Sequence, residues 1–406
     1  MDTLESAVQS LVAALHDPEA PRDTAQQAAE ALLTAAHRAP VSAQNEALRQ
    51  LLPGLDSPTP TRSGFAAIVG GSLVENGASA DILAPSLLER LPFVLDMADR
   101  FADRLRAALP PQQPDAEEDE EEDENVLYID GRPVPGPIIE QAMEEAGEEG
   151  SAFQAIGFWC MPTIACLSVS AEACRAARQR QPELLPLCRN LGDVGDGAGF
   201  LWKLLQVMDD EPLLVLHPDT QQGFECRISG ISDNFQLHTL LADALIEAPA
   251  TPAAPASGGL LSRLIGRGSG EAKPASEPRL PGTRPNPRSV AVAKGEGPQE
   301  LPEPTTGSWN LYQWYALDAT GKLTNALENS DVWVWNEGIP ADIELFEGKR
   351  VLLLGKPAYE RSWSTTRLFD SLKASVTVIE TLKAEQAQNW LQRLASASAA
   401  RKAAGE

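Results

Sequence analysis

The residues best placed for chemistry lie toward the C-terminal end of the chain. Residues 351–355 read VLLLG, a hydrophobic strand closing on a glycine. Lys356 follows, and a loop leads to Ser362, Ser364, Thr365 and Thr366, which read as the start of a helix over 362–372. The next strand, SVTVIE at 375–380, ends in Glu380. In a dinucleotide fold the glycine lets the backbone approach phosphate and the helix N-terminus attracts it. An acid at the end of the second strand then binds the ribose hydroxyls. Gly355, Lys356, Ser364, Thr365 and Glu380 are therefore the candidate cofactor-binding residues. The pattern is incomplete, since neither GxGxxG nor GxxxxGK[ST] is present. A plain α/β layer is the competing reading, and no cofactor is assigned.

Nucleophile and metal chemistry has less to work with. The four histidines are His16, His37, His217 and His238. A hairpin over 212–231 followed by a helix would bring His217, Cys226 and His238 together as a Cys-His arrangement, but their spacing matches no ligand pattern. The five cysteines, Cys160, Cys166, Cys174, Cys188 and Cys226, contain no CxxC pair. Asp193 and Asp196 in GDVGDGAG lack the register of a calcium loop. No catalytic residue and no metal site is assigned.

Two features point to binding. Six of the eight tryptophans, Trp309, Trp314, Trp333, Trp335, Trp363 and Trp390, fall within 307–396, with Tyr312, Tyr315 and Tyr359 among them. Filling a small core is their first use, while exposed rings would stack sugars or clamp a proline-rich ligand. The second feature is GGLLSRLIGRGSG at 258–270. On a helix Leu260, Leu261, Leu264 and Ile265 share one face and Arg263 and Arg267 lie opposite, as in a docking motif that folds on its partner. A chance apolar cluster is the alternative.

The elements that must position these residues suggest a multidomain α+β chain. Residues 1–109 carry apolar residues at helical spacing (Leu4, Val8, Leu11, Val12, Leu15) and read as an all-helical bundle. Residues 110–124 read as a disordered acidic linker, with nine acids between Asp115 and Glu124. Residues 125–247 read as a central α+β domain. Its hairpin, 212–231, is followed by a helix capped by Asp233 and Gln236, with the stripe Leu237, Leu240, Leu241, Ala244 and Leu245. Residues 248–306 read as a Pro/Gly-rich disordered linker, residues 307–396 as a small Trp-rich α/β domain, and 397–406 as a flexible tail.

Composition narrows the function classes. The 406 residues carry a formal charge of −25. Phosphate neutralisation supplies most non-specific nucleic-acid affinity, so nucleic acid is not expected as a partner, and anionic membranes are disfavoured on the same ground. The uncharged stretch from Gly150 to Ala171 has the length of a membrane span, but Gly157, Pro162 and its polar residues favour a buried core helix pair or strand broken at Pro162. Unpaired cysteine spacing and the start MDTLESAVQS, which lacks a signal-peptide pattern, suggest the cytoplasm. The alanine, arginine, leucine and proline bias suggests a GC-rich bacterial genome. Tethered modules raise effective concentration between binding sites. The leading expectation is therefore a non-catalytic interaction or adaptor protein with a protein partner. A nucleotide- or small-molecule-binding enzyme using 351–366 is the second, and an acidic inhibitor or immunity-type protein the third.

Overall fold

A computed structural model describes residues 4–111, 126–192, 194, 196–246, 280–324, 330–369 and 371–404. The chain divides into two compact units, Met1–Gln206 and Val207–Glu406. It is a multidomain α+β protein, helical in the first unit and built on a mixed sheet in the second.

The N-terminal unit holds α1 (Leu4–His16), α2 (Arg22–Ala36), α3 (Val41–Leu51), α4 (Pro60–Glu75) and α5 (Ala80–Ala108). A short hairpin follows, β1 (Tyr128–Ile129) with β2 (Arg132–Pro133). Then come α6 (Gly136–Glu145), α7 (Gly147–Gln154), α8 (Ile156–Val169), α9 (Ala171–Gln179), α10 (Gln181–Asn190) and α11 (Asp196–Leu205). The bundle expected over 1–109 thus continues to the end of α11. The central domain expected over 125–247 does not exist as one body, because its helices belong to the first unit and its hairpin-helix to the second.

Glycines bring α4 against α8. A Cβ on Gly71 would lie 2.7 Å from Pro162 Cβ and 2.8 Å from its Cα, and one on Gly64 would lie 2.9 Å from Phe158 Cβ. Trp159, buried, donates its indole N–H to Pro60 O at 3.2 Å, on the first turn of α4. The uncharged stretch is therefore a helix pair, α7 and α8, meeting at 42°. Cys160, Thr163, Cys166 and Leu167 are buried along α8. Among the described residues no single helix is long and apolar enough to cross a membrane.

The C-terminal unit opens with a hairpin, β3 (Glu211–His217) and β4 (Gln222–Ser229), and α12 (Asn234–Leu245). Asp233 caps α12 by accepting from Gln236 N at 2.8 Å. Gln236 in turn accepts from Ser232 N and donates to Ala293 O, so the cap also ties α12 to the next helix. That helix, α13 (Pro287–Lys294), is followed by β5 (Glu300–Thr306), β6 (Asn310–Gln313), β7 (Leu345–Phe346), β8 (Lys349–Gly355), β9 (Ser362–Thr366), β10 (Ser375–Thr381) and α14 (Ala384–Ala403).

The main sheet has the order β10-β4-β3-β8-β6, with β7 also on β8; β5 and β9 form a separate pair. β3 and β8 run parallel, Leu213 beside Arg350 through Leu216 beside Leu353, and the other neighbours are antiparallel. Strand alternation sends Leu213, Val215, Leu352 and Leu354 into the core shared with α12 and α13. Leu214, Leu216, Val351 and Leu353 go into the core under α14, with Leu391 and Leu394.

Three expectations change here. Residues 280–306 are not linker: Leu280 bridges Ile246, α13 buries Val290 and Val292, and β5 pairs with β9. Residues 112–124 and 247–279, including the rest of both expected linkers, lie outside the described residues. The flexible tail expected at 397–406 is helical through Ala403, and Ser398 is fully buried with Oγ 2.7 Å from the carbonyl oxygens of both Tyr315 and Leu317. Finally, the helix expected at 362–372 is replaced by β9.

Gly71→Ala gains helix propensity worth about 1 kcal/mol, but its methyl meets proline backbone. Overpacking of that kind costs about 1–3 kcal/mol, so urea denaturation is expected to show a net loss of stability in the helical unit. In the sheet unit, Ser398→Val removes the one hydroxyl shared by the Tyr315 and Leu317 carbonyls, leaving Leu317 O only the longer contact from Lys402 Nζ at 3.4 Å, and a loss of about 1–3 kcal/mol is expected by the same measurement.

Candidate binding surface

The end of β8 is the natural place to look for a ligand, because crevices at the carboxyl ends of parallel strands hold ligands in open α/β sheets. The proposed cofactor residues do not assemble there. Gly355 is buried, and a Cβ on it would lie 2.3 Å from Leu323 Cδ1 and 2.9 Å from Tyr312 Cε2, so the missing side chain admits packing atoms. Lys356 is exposed just beyond it. Ser364 is exposed on β9, and Thr365 is buried with Oγ1 2.9 Å from Thr305 Oγ1. With β9 in place of a helix, no helix N-terminus follows β8. Glu380 is exposed on the edge strand β10, level with Val351 and three strand steps from it, roughly 14 Å at the usual spacing, with Gly355 four residues further along β8. These five residues are therefore not brought together at the end of β8.

The other candidates divide similarly. Leu260, Leu261, Arg263, Leu264, Ile265 and Arg267 lie outside the described residues, as does Asp193. His217 is buried at the end of β3 and is held by Thr220, whose N–H donates to Nδ1 and whose Oγ1 lies 2.9 Å from it. Cys226 sits in the α12-side core, where burial pushes its thiol up to about 12. No group of His, Cys, Asp and Glu among the described residues could hold a metal ion.

His238 has a structural role. Its Nε2 accepts from the backbone N–H of Ser308 at 3.2 Å and of Trp309 at 3.4 Å, which places the proton of the neutral ring on Nδ1. The ring stacks on Trp309 at 5.9 Å and tilts against Trp363 at 5.0 Å. Burial pulls its pKa down to about 4; Asn336 opposes this without reaching bonding geometry with Nδ1.

What the loops at this end do present is aromatic surface. Trp309, Trp314 and Trp333 are buried, as core filling requires, but Trp335 and Tyr359 are 46% and 49% exposed. Trp333 links them, its ring 4.9 Å from Trp335 and 6.3 Å from Tyr359, with interplanar angles of 53° and 44°. Arg361 lies over this group, its guanidinium carbon 5.1 Å from the Trp333 ring and 4.7 Å from the Tyr359 ring. It donates to Tyr359 OH at 2.7 Å, and no carboxylate among the described residues forms an ion pair with it. Arg361 was not singled out from the sequence. The signal was the two-residue repeat Tyr359, Arg361, Trp363, concealed by reading this stretch as the lead-in to a helix.

A concavity of about 680 Å³ opens in the N-terminal unit beside Phe65 and Phe158. Arg62, the one cation among its described lining residues, donates to the carbonyls of Ala14, Leu15, Pro18 and Ala20, closing the C-terminal end of α1. Thr61 and Ser151 bond to each other at 2.8 Å. The polar groups there are engaged in holding the unit together.

The His238 geometry has a pH signature. Its folded pKa lies below the ordinary 6.5, so between pH 6.5 and about 4 the unfolded chain takes up the proton first. Stability is full above pH 6.5 and falls as pH drops, by about 1.4 kcal/mol per unit and about 3 kcal/mol in all. Urea midpoints at pH 7.5, 6.0 and 5.0 are expected to show this extra slope in the wild type and its loss in His238→Gln. An equal slope in both proteins would refute the assignment. No family model, no curated protein and no solved structure matches this chain, so its functional reading rests on these residues alone.

Proposed function

We propose that this protein is a non-catalytic interaction or adaptor protein of the bacterial cytoplasm, whose C-terminal unit binds a protein partner through the surface formed by Trp335, Tyr359 and Arg361. One observation carries the reading: Trp335 and Tyr359, each about half exposed, pack on buried Trp333, and Arg361 lies over the Trp333 and Tyr359 rings with no carboxylate partner among the described residues. Aromatic residues and arginine are the types that dominate binding hot spots, because they bury large area at low entropic cost. The rings are fixed from behind by Trp333, itself bridged to Tyr312 on β6. Such a surface is preorganised, which reduces the ordering cost of association.

The double variant Trp335→Ala, Tyr359→Ala is the direct test. Tagged wild-type and variant chains are purified from the same cells, and bound proteins are compared by quantitative mass spectrometry. The expected result is loss of a defined partner from the variant, at least tenfold, with unchanged melting and far-ultraviolet dichroism, since both rings contribute mainly surface. Identical partner sets would overturn the reading.

A further inference from the structure

The helical unit carries an exposed surface without charge. On α8, Phe158, Met161, Ala165 and Val169 recur at helical spacing, and Phe158, Met161 and Val169 are 36%, 46% and 52% exposed. Beside them on α4 lie Phe65 and Ile68, both partly exposed. The Phe65 and Phe158 rings meet edge to face at 6.5 Å, and Gly64 and Gly71 bring α4 against Phe158 and Pro162. The two apolar stripes therefore flank one helix–helix seam. α8 has no charged residue, and α4 has none between Arg62 and Glu75. An apolar patch of about 300–600 Å² is often the functional one on a soluble protein.

Size selects the occupant. α8 has 14 residues, or about 21 Å of helix, and two packed helices make a strip roughly 20 Å wide. Such a strip covers about 400 Å², whereas a stable interface takes about 800 Å² from each folded partner. A second copy of this chain would find half of what it needs there. One amphipathic helix of about four turns covers the strip with its apolar face. The concavity of about 680 Å³ opens at the Phe65–Phe158 end, over buried Ala14 and Leu15. Its Arg62, Thr61 and Ser151 are already bonded within the unit, so it receives an apolar side chain, the anchor such a helix requires.

Charge narrows the helix further. Toward the Val169 end, acids stand on three elements: Glu75 closes α4, Asp81 lies in the first turn of α5, and Glu172 in the first turn of α9. Asp81 accepts from Ser170 Oγ, which itself caps α9, so Asp81 and Glu172 belong to one turn of the surface. All three acids are exposed, and none forms an ion pair among the described residues. The next cation on α9, Arg175, donates to Ala171 O of its own helix. Cations on an incoming helix therefore find partners at this end, and acids are repelled.

We infer that the α4–α8 surface binds a basic amphipathic helix of a partner protein. Its apolar face lies along Phe65, Ile68, Phe158, Met161 and Ala165, one bulky side chain fills the concavity, and its cations meet Glu75, Asp81 and Glu172. This goes beyond the proposed aromatic surface, which lies in the other unit, and gives an adaptor its second binding site.

The test uses the full chain and three fluorescently labelled fourteen-residue peptides, titrated by anisotropy. The first has leucine at i, i+3, i+4 and i+7 and lysine elsewhere. The second has glutamate for lysine, which keeps the apolar face and reverses the charge. The third, (Leu-Lys)7, keeps the charge and has a strand's period. The Lys helix is expected to bind tightest, with the other two about tenfold weaker or more. Met161→Gln is expected to weaken both helices about tenfold, with unchanged melting because the side chain is half exposed. Ala25→Trp, which fills the concavity, is expected to weaken them as well. Glu75→Gln combined with Glu172→Gln is expected to narrow the difference between the Lys and Glu helices. Phe93→Gln, on the α5 face that carries Asp96 and Arg100, is expected to change nothing. Equal wild-type binding of the Lys and Glu helices would overturn the charge assignment, and equal binding of (Leu-Lys)7 would overturn the helix. Unchanged affinity in Met161→Gln would overturn the surface itself. Sedimentation showing a wild-type dimer that Met161→Gln abolishes would make a second copy the occupant. Flotation with phosphatidylcholine vesicles, lost in Met161→Gln, would make it a membrane. Displacement of the Lys helix by a synthetic peptide of residues 258–270 would make it this chain's own sequence. None of these outcomes bears on the Trp335–Tyr359 surface, whose variant is tested separately.

Discussion

The parallel pairing of β3 with β8 is the contact on which the C-terminal unit depends. It joins Leu213–Leu216 to Arg350–Leu353, segments far apart in sequence, and places both strands in the middle of the sheet. A central strand must be apolar on both faces, which is why LLVL at 213–216 and VLLL at 351–354 have no polar alternation. One face then needs α12 and α13, and the other needs α14. Closing a parallel pair over so long a separation is entropically costly. The cost is offset by two complete hydrophobic layers, neither of which forms without the pair. The proposed binding surface inherits this arrangement, because the loop bearing Tyr359 and Arg361 leaves the sheet where β8 ends at Gly355.

This explains which parts of the fold were legible in the sequence. The hairpin and α12 carry local signals that agree with one another: alternating strands, a turn at 218–221, the Asp233 cap and a leucine stripe. β9 carries a conflicting one. Its Ser362, Ser364, Thr365 and Thr366 resemble a helix start, yet Trp363 and Thr365 alternate as a strand does, and pairing with β5 some sixty residues earlier decides the outcome. That partner was itself hidden, since Pro302 and Pro304 make the segment look like linker. β5 tolerates them as one strand of an isolated pair with an irregular register between Leu301 and Pro304.

α13 was overlooked for a different reason. Asn286 caps it, Pro287 occupies its first turn, and Gly295 ends it at φ +78°, so its boundary residues are those expected of a helix. Eight residues give too short a stripe to stand out against a proline-rich background. Its stability comes from burying Val290, Val292 and Ala293 and from Gln236 donating to Ala293 O, none of which is local information. The site followed the same rule. The tryptophans were visible as a class, but their division between core and surface is set by the loops that carry them, and Arg361 acquired significance only when those loops met.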